Sequence, residues 1–259
     1  MYAEERQQAI AAQILARGRA SVAELALEYD VTTETVRRDL AALDRAGLIR
    51  RVHGGAVPVR ALHIVEPAYD ERAVTRADHK DHIAHAAAEF LPVAGGSILI
   101  DAGTTTARLA ALMPGKSDLT VVTNSVPIAA RLAGLSAITL QLLGGRVRGL
   151  TQAAVGEPAL RVLDSLRVDI AFIGTNGISG RHGVSTPDPD EAAIKRAMVR
   201  CANYVVVLAD SSKIGREEFI SFAPLASIDT LVTDPEITPA QRRDLAGHNM
   251  EVVVAEDPS

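Results

Sequence analysis

Ser21-Val22-Ala23-Glu24-Leu25-Ala26-Leu27-Glu28-Tyr29-Asp30-Val31-Thr32-Thr33-Glu34-Thr35-Val36-Arg37-Arg38-Asp39-Leu40 is the stretch on which the reading of this chain turns. Ser21 with Glu24 three residues on is a capping-box pattern. Val22, Leu25 and Ala26 give the apolar stripe of a short helix ending near Tyr29. Asp30-Val31 makes the turn, and Thr32 is the N-cap of a further helix that runs to about Arg45 and stops before Gly47. Its buried side should carry Val36, Leu40 and Leu43, leaving Thr33, Glu34, Thr35, Arg37 and Arg38 on the solvent side of its first half. A helix-turn-helix meets base edges with that part of its second helix. Hydroxyls reach phosphate or either base edge, and Arg grips guanine through two hydrogen bonds or pairs with phosphate. Exposed Arg on three short helices is also what ordinary solvated surface looks like, so periodicity alone leaves both readings open.

Upstream, residues 4–17 read as a helix with Ile10, Ile14 and Leu15 on one face and Gly18 as its stop. Downstream, Arg50-Arg51-Val52-His53-Gly54-Gly55-Ala56-Val57-Pro58-Val59 is two short alternating runs around Gly-Gly, a hairpin. From it Arg51 and His53 can reach the DNA backbone or the minor groove. Three helices followed by a hairpin give a winged helix over residues 1–58. Pro58 and Pro67 break the periodicity, so residues 59–75 read as a linker. From 76 to 259 helical and strand patterns alternate: helices through Ile83 and Phe90, from Thr104, from Val126 and over 190–201, and strands near 97–101, 120–123, 138–143, 169–173, 204–209, 230–233 and 251–255. Fully apolar strands such as Val205-Val206-Val207-Leu208 imply a largely parallel sheet covered on both faces, an α/β domain.

The bulk numbers agree with two domains of a soluble globular protein. The 259 residues are 47% apolar and 23% charged. The net charge of −5 is uneven: residues 1–60 hold nine Arg against eight acidic residues, and the stretch from Arg37 to Arg60 is locally basic. No stretch approaches the ~20 apolar residues of a membrane crossing, and the start of the chain lacks the layout of a signal peptide, so a cytoplasmic protein without a membrane partner is expected. Cys201, the single cysteine, excludes a disulfide within the chain and reads as a small buried residue.

In the second domain, Gly103-Thr104-Thr105-Thr106 follows a buried strand and opens a helix, so N–H groups, hydroxyls and the helix dipole can converge on an anion such as phosphate. Strand ends are where open α/β sheets bind ligands. Asp101, Asn124 and Asn176, each at a strand end, can hydrogen-bond sugar hydroxyls or instead cap helices and tie turns. Lys195 and Lys213 can add charge to a phosphate grip or stay solvated.

Taken together, the segments 21–26 and 31–40, Leu43-Asp44-Arg45-Ala46-Gly47-Leu48-Ile49 and Arg51-Val52-His53-Gly54-Gly55-Ala56 closely resemble the DNA-binding domain of the DeoR family of transcriptional repressors. The resemblance continues through Asp101-Ala102-Gly103-Thr104-Thr105-Thr106, Val122-Thr123-Asn124-Ser125, Leu143-Gly144-Gly145, Ile173-Gly174-Thr175-Asn176-Gly177 and Asp210-Ser211-Ser212-Lys213, spanning nearly the whole chain. It implies a sensor domain of the ribose-5-phosphate isomerase type of fold and a phosphorylated sugar as effector, fructose 1-phosphate or a related one. It also implies double-stranded operator DNA as partner and control of sugar uptake or phosphotransferase-system genes, as in actinobacterial regulators of this family. A homodimer or homotetramer is expected, since one short helix reads too few base pairs for genomic specificity.

The competing class is a sugar-phosphate isomerase, which needs a carboxylate base near the sugar carbons. Isomerases that resemble the chain around residues 173–177 carry acidic residues there, and this sequence has Thr175 and Asn176. Glu191 and Lys195, one turn apart, read as a surface ion pair. Gly144-Gly145-Arg146-Val147-Arg148-Gly149 does not supply a dinucleotide fingerprint. His79, His82 and His85, with Asp78 and Asp81, are explained by the polar face of a helix, so no metal and no cofactor are expected.

Overall fold

The computed structural model describes residues 3–17, 20–45, 48–52, 55–58, 67–92, 95–113 and 118–256. The chain divides into two compact units, Met1–Glu66 and Pro67–Ser259. In the first, α1 (Ala3–Arg17), α2 (Val22–Glu28) and α3 (Thr33–Arg45) enclose a core of Ile10, Ile14, Leu25, Val36, Leu40 and Leu43. Ser21 caps α2 through the full capping box, its hydroxyl accepting from the Glu24 N–H at 3.1 Å while the Glu24 carboxylate accepts from the Ser21 N–H at 2.9 Å. The expected hairpin is present as β2 (Ile49–Val52) against β3 (Gly55–Pro58). The sequence reading did not include β1 (Ala20–Ser21), which pairs with β3 and makes a three-stranded wing; two residues are too few for a strand period to register.

The linker expected over 59–75 is shorter at its C-terminal side. Residues 59–66 lie outside the described residues, but α4 (Tyr69–Val74) already belongs to the second unit. Asp70 and Glu71 in its first turn and Arg72 in its last suit the helix dipole, and the Tyr69 N–H donates to the Leu150 carbonyl at 2.9 Å. Six residues are too few to outweigh the reading that Pro67 invites.

The body of the second unit is a seven-stranded, all-parallel sheet in the order β15-β14-β12-β9-β4-β5-β6. These strands are β4 (Ser97–Ile100), β5 (Leu119–Thr123), β6 (Ile138–Leu142), β9 (Val168–Gly174), β12 (Ala202–Leu208), β14 (Thr230–Thr233) and β15 (Glu251–Val254). Alternate residues serve two cores: Val205 and Val207 pack on one face with α8 (Glu157–Asp164) and α9 (Pro189–Cys201), and Val206 and Leu208 on the other with α5 (Ala77–Ala88), α6 (Thr104–Ala111) and α7 (Val126–Leu132). Cys201 is buried in the first of these cores.

The sequence pattern missed the antiparallel pair β7 (Arg146–Arg148) and β8 (Ala153–Val155), the small sheet of β10 (Gly177–Ser179), β11 (Gly183–Thr186) and β13 (Ile220–Ala223), and helices α8 and α10 (Pro239–Leu245). β7, β8 and β10 have three residues each, too few for an alternation to register. From β4 the sheet grows one way through β5 and β6 and the other way through β9 and β12, so the order reverses between β4 and β9. A crevice opens at the carboxyl ends of strands at such a switch point.

Candidate functional site

In the first unit, Asp39 on α3 is buried and held by the Arg6 guanidinium at 2.6 Å and the Gln7 amide at 2.9 Å, which fixes α3 against α1. That clamp leaves Thr33, Glu34, Arg37 and Arg38 exposed on the opposite side. Glu34 and Arg37 form an exposed pair at 3.3 Å. Thr35 differs from its expected exposure: it is half-buried, and its hydroxyl lies 2.9 Å from that of Thr32, which also accepts from the Thr35 N–H at 3.1 Å. The N-cap therefore takes up this hydroxyl. Arg51 pairs with Ala56 in the wing ladder, and His53 lies outside the described residues.

In the second unit, the loops after β4 and β9 flank the switch point and open onto a cleft of about 130 Å³. Its floor is the start of α6. Gly103 is the N-cap and offers no side chain, so among the described residues no side-chain oxygen caps the first-turn N–H groups of α6. The Thr106 hydroxyl donates to the carbonyls of Asp101 at 2.7 Å and Gly103 at 3.0 Å and sets the turn. Thr104 and Thr105 line the cleft beside it. A Cβ on Gly103 would stand 3.0 Å from the Thr106 oxygen, so a side chain there would require the Thr106 hydroxyl to shift by a few tenths of an ångström.

Two further predicted residues stand behind the loop and hold it. Asn124 accepts from the Ala102 N–H at 2.9 Å and donates to the Ala154 carbonyl at 3.3 Å. Asp101, 1% exposed, accepts from the Gly174 N–H at 3.0 Å and pairs with Lys195, whose ammonium also donates to the Gly174 carbonyl at 2.9 Å. The tie between the two switch-point loops is thus a buried ion pair. Asp101 and Asn124 do the turn-tying that was the alternative to contacting a sugar. The structure brings together Gly103, Thr104, Thr105, Thr106, Asn176, Lys195 and Lys213 around the cleft. Asn176 accepts from the Thr186 hydroxyl at 3.1 Å.

Glu191 and Lys195 are not a surface pair. Both are buried, and Glu191 is bound by the Arg148 guanidinium and the Thr151 hydroxyl while Lys195 turns to Asp101. Asp210, the other carboxylate on the cleft, accepts from Ser212 and pairs with Arg76 at 3.3 Å.

Sequence reasoning missed three cations on the cleft wall, Arg72, Arg76 and Lys80. Their spacing of four was a usable signal, hidden because Arg72 fell in the expected linker. Arg76 has a left-handed backbone (φ 52°) between α4 and α5 and is neutralised by Asp210, Asp234 and Glu236. His79, Asp234 and Glu236 lie close enough to share a cation, but the Arg76 guanidinium already bonds both carboxylates at 3.4 and 2.7 Å. His82 and His85 are not part of that group, and His85 bonds the Asp81 carbonyl at 2.8 Å.

Arg72, Lys80 and Lys213, by contrast, have no carboxylate ion pair among the described residues. Burial lowers the Lys213 ammonium against the pull of Asp210. Burial likewise lowers Lys80 to about 8, with Asp210 opposing and Lys213, Arg108 and Arg72 reinforcing the shift. Such an excess of desolvated positive charge is relieved by an anion.

A pH dependence follows from Lys80. A phosphate monoester becomes a dianion above about pH 6, and Lys80 loses its proton as pH rises through about 8. If the cleft holds a phosphate monoester, its affinity for that ligand, measured by calorimetry, should be greatest between these values. Above pH 8 it should fall by up to about tenfold per pH unit, because only the protonated ammonium attracts the ligand. Affinity unchanged up to pH 9.5 would remove Lys80 from the site.

Residues 6–60 match the family model described as the DeoR-like helix-turn-helix domain, and residues 75–235 the model described as the DeoR C terminal sensor domain. The chain is 37% identical to the uncharacterized HTH-type transcriptional regulator FruR of Bacillus subtilis, over 91% of this chain and 93% of that protein. It is 35% identical to the lactose phosphotransferase system repressor of Streptococcus mutans, over 90% of this chain and 93% of that one. Among solved structures, ribose 5-phosphate isomerase A of Methanocaldococcus jannaschii aligns with 53% of this chain and 54% of its own, at 19% identity and a TM-score of 0.39.

Proposed function

Because the chain belongs to the DeoR family of transcriptional regulators, we propose that it represses sugar-uptake or catabolism genes by binding operator DNA through the first unit, and that a phosphorylated sugar bound in the second unit relieves this. The observation that carries the effector assignment is the meeting of the uncapped start of α6 with Arg72, Lys80 and Lys213 at the switch point of the sheet. Backbone N–H groups at a helix start bind the phosphate oxygens, the cations neutralise the charge, and Thr104, Thr105 and Asn176 offer partners to sugar hydroxyls. The names of the two relatives, a regulator and a phosphotransferase-system repressor, support the same reading and its sugar context. Operator binding requires two half-sites, hence at least a dimer. No helix among the described residues is long and apolar enough to cross a membrane.

Neither cleft carboxylate favours an isomerase, since Glu191 is held by Arg148 and Asp210 by Arg76 and Ser212. Titration calorimetry with a panel of sugar phosphates and their unphosphorylated sugars tests the assignment. One phosphate ester should bind, the parent sugar should not, and Thr105→Ala and Lys213→Ala should each weaken binding by about tenfold. Binding of no phosphate ester, or equal binding of the free sugar, would overturn it.

A further inference from the structure

The Nε and Nη2 atoms of Arg72 are fully buried and have no hydrogen-bond partner among the described residues, although the residue lines the cleft. Buried polar groups are normally satisfied, and two unpartnered buried nitrogens on one guanidinium are among the more costly exceptions. The helix that carries it is weakly built. α4 has no buried residue and no side-chain N-cap. It is held mainly by polar contacts to its backbone: the Tyr69 N–H on Leu150, the Arg108 guanidinium on the Ala73 carbonyl at 3.0 Å, and the Lys80 ammonium on the carbonyls of Arg72 and Thr75, the latter at 2.7 Å. α4 is also the first element after residues 59–66, through which the chain continues from the DNA-binding unit.

We propose that Arg72 is the latch that couples the effector to α4: a phosphate at the start of α6 accepts from the two unpartnered Arg72 nitrogens and so draws α4 onto the cleft. The inference rests on the phosphorylated-ligand reading of the cleft and adds which element responds. Segments with few buried contacts open at low free-energy cost, so one charge-assisted, two-point bond is enough to shift the balance of α4 between open and held forms. The ligand acts on the chain only through its preference for one of these forms. The Lys80 ammonium grips the far end of the same helix through its carbonyls, so two of the three cations that face the phosphate, Arg72 and Lys80, are tied to α4.

Hydrogen exchange of the full-length protein, with and without saturating fructose 1-phosphate or, if that does not bind, inorganic phosphate, reads both ends of the contact. Wild type should gain protection at the start of α6 and over α4. Arg72→Gln should keep the gain at α6, lose it over α4, and bind the probe roughly 10- to 100-fold more weakly. Arg72→Lys, which keeps the charge without the fork, should fall between. Protection at α6 without any in wild-type α4 overturns the latch while leaving the cleft assignment intact. Protection at neither segment with either probe removes the latch together with the reading beneath it.

Discussion

Lys195→Met should lower the unfolding free energy of the second unit by about 3–5 kcal/mol, the usual cost of leaving one charge of a buried pair alone. Asp101 and Lys195 are 1% and 4% exposed, and burial raises the Asp101 carboxyl even against the pull of Lys195. Without the ammonium, the carboxylate must either stay charged in an apolar core or take up a proton, and both are unfavourable. Removing both charges, as Asp101→Leu with Lys195→Met, should be less damaging than Lys195→Met alone, while remaining below wild type because the Gly174 N–H loses its acceptor. Urea unfolding followed by circular dichroism measures the three proteins, which contain no tryptophan to report instead. A single variant within about 1 kcal/mol of wild type would mean that the pair is not the tie between the two loops.

Arg37→Ala and Arg38→Ala should each weaken operator binding by about 1–3 kcal/mol per half-site, and so by two to three orders of magnitude in a dimer near the middle of that range. Both side chains are exposed near the start of α3, on the side away from the Asp39 clamp. The pair of variants also separates two roles. An arginine that contacts phosphate lowers the steepness of the salt dependence when removed, whereas one that reads guanine relaxes the preference for the operator over other DNA. Glu34, 3.3 Å from Arg37, must release it for either contact. Unchanged binding by both variants in a mobility-shift assay would exclude α3 as the reading helix.

The fold was legible wherever a pattern ran long enough. The capping box at Ser21 and Glu24, the stripe Val36, Leu40 and Leu43, and the run Val205-Val206-Val207-Leu208 each encode one element without help from elsewhere in the chain. Short pieces were not legible: β1, β7, β8, β10 and β11 exist because partners distant in sequence pair with them, and α4 stays helical against the hint of Pro67 because Leu150, Arg108 and Lys80 hold its backbone.

The same distinction governs the cleft. Gly103, Thr104, Thr105 and Thr106 announced themselves by following an apolar strand. Whether Asp101 and Asn124 face a ligand or tie loops depended on Gly174, Lys195, Ala102 and Ala154, which only the fold brings near. Arg72 and Lys80 became visible as cleft residues only once α4 and α5 were seen to return to the end of β4 and α6.

The most direct test of the account is a mobility shift on DNA from upstream of the protein's own gene and its neighbours, at fixed salt, with sugar phosphates added singly. Specific binding is expected, released by one phosphate ester and not by its unphosphorylated sugar. Binding that no phosphate ester alters would contradict the sensing role given to the cleft, and no specific binding to any such DNA would contradict the repressor itself.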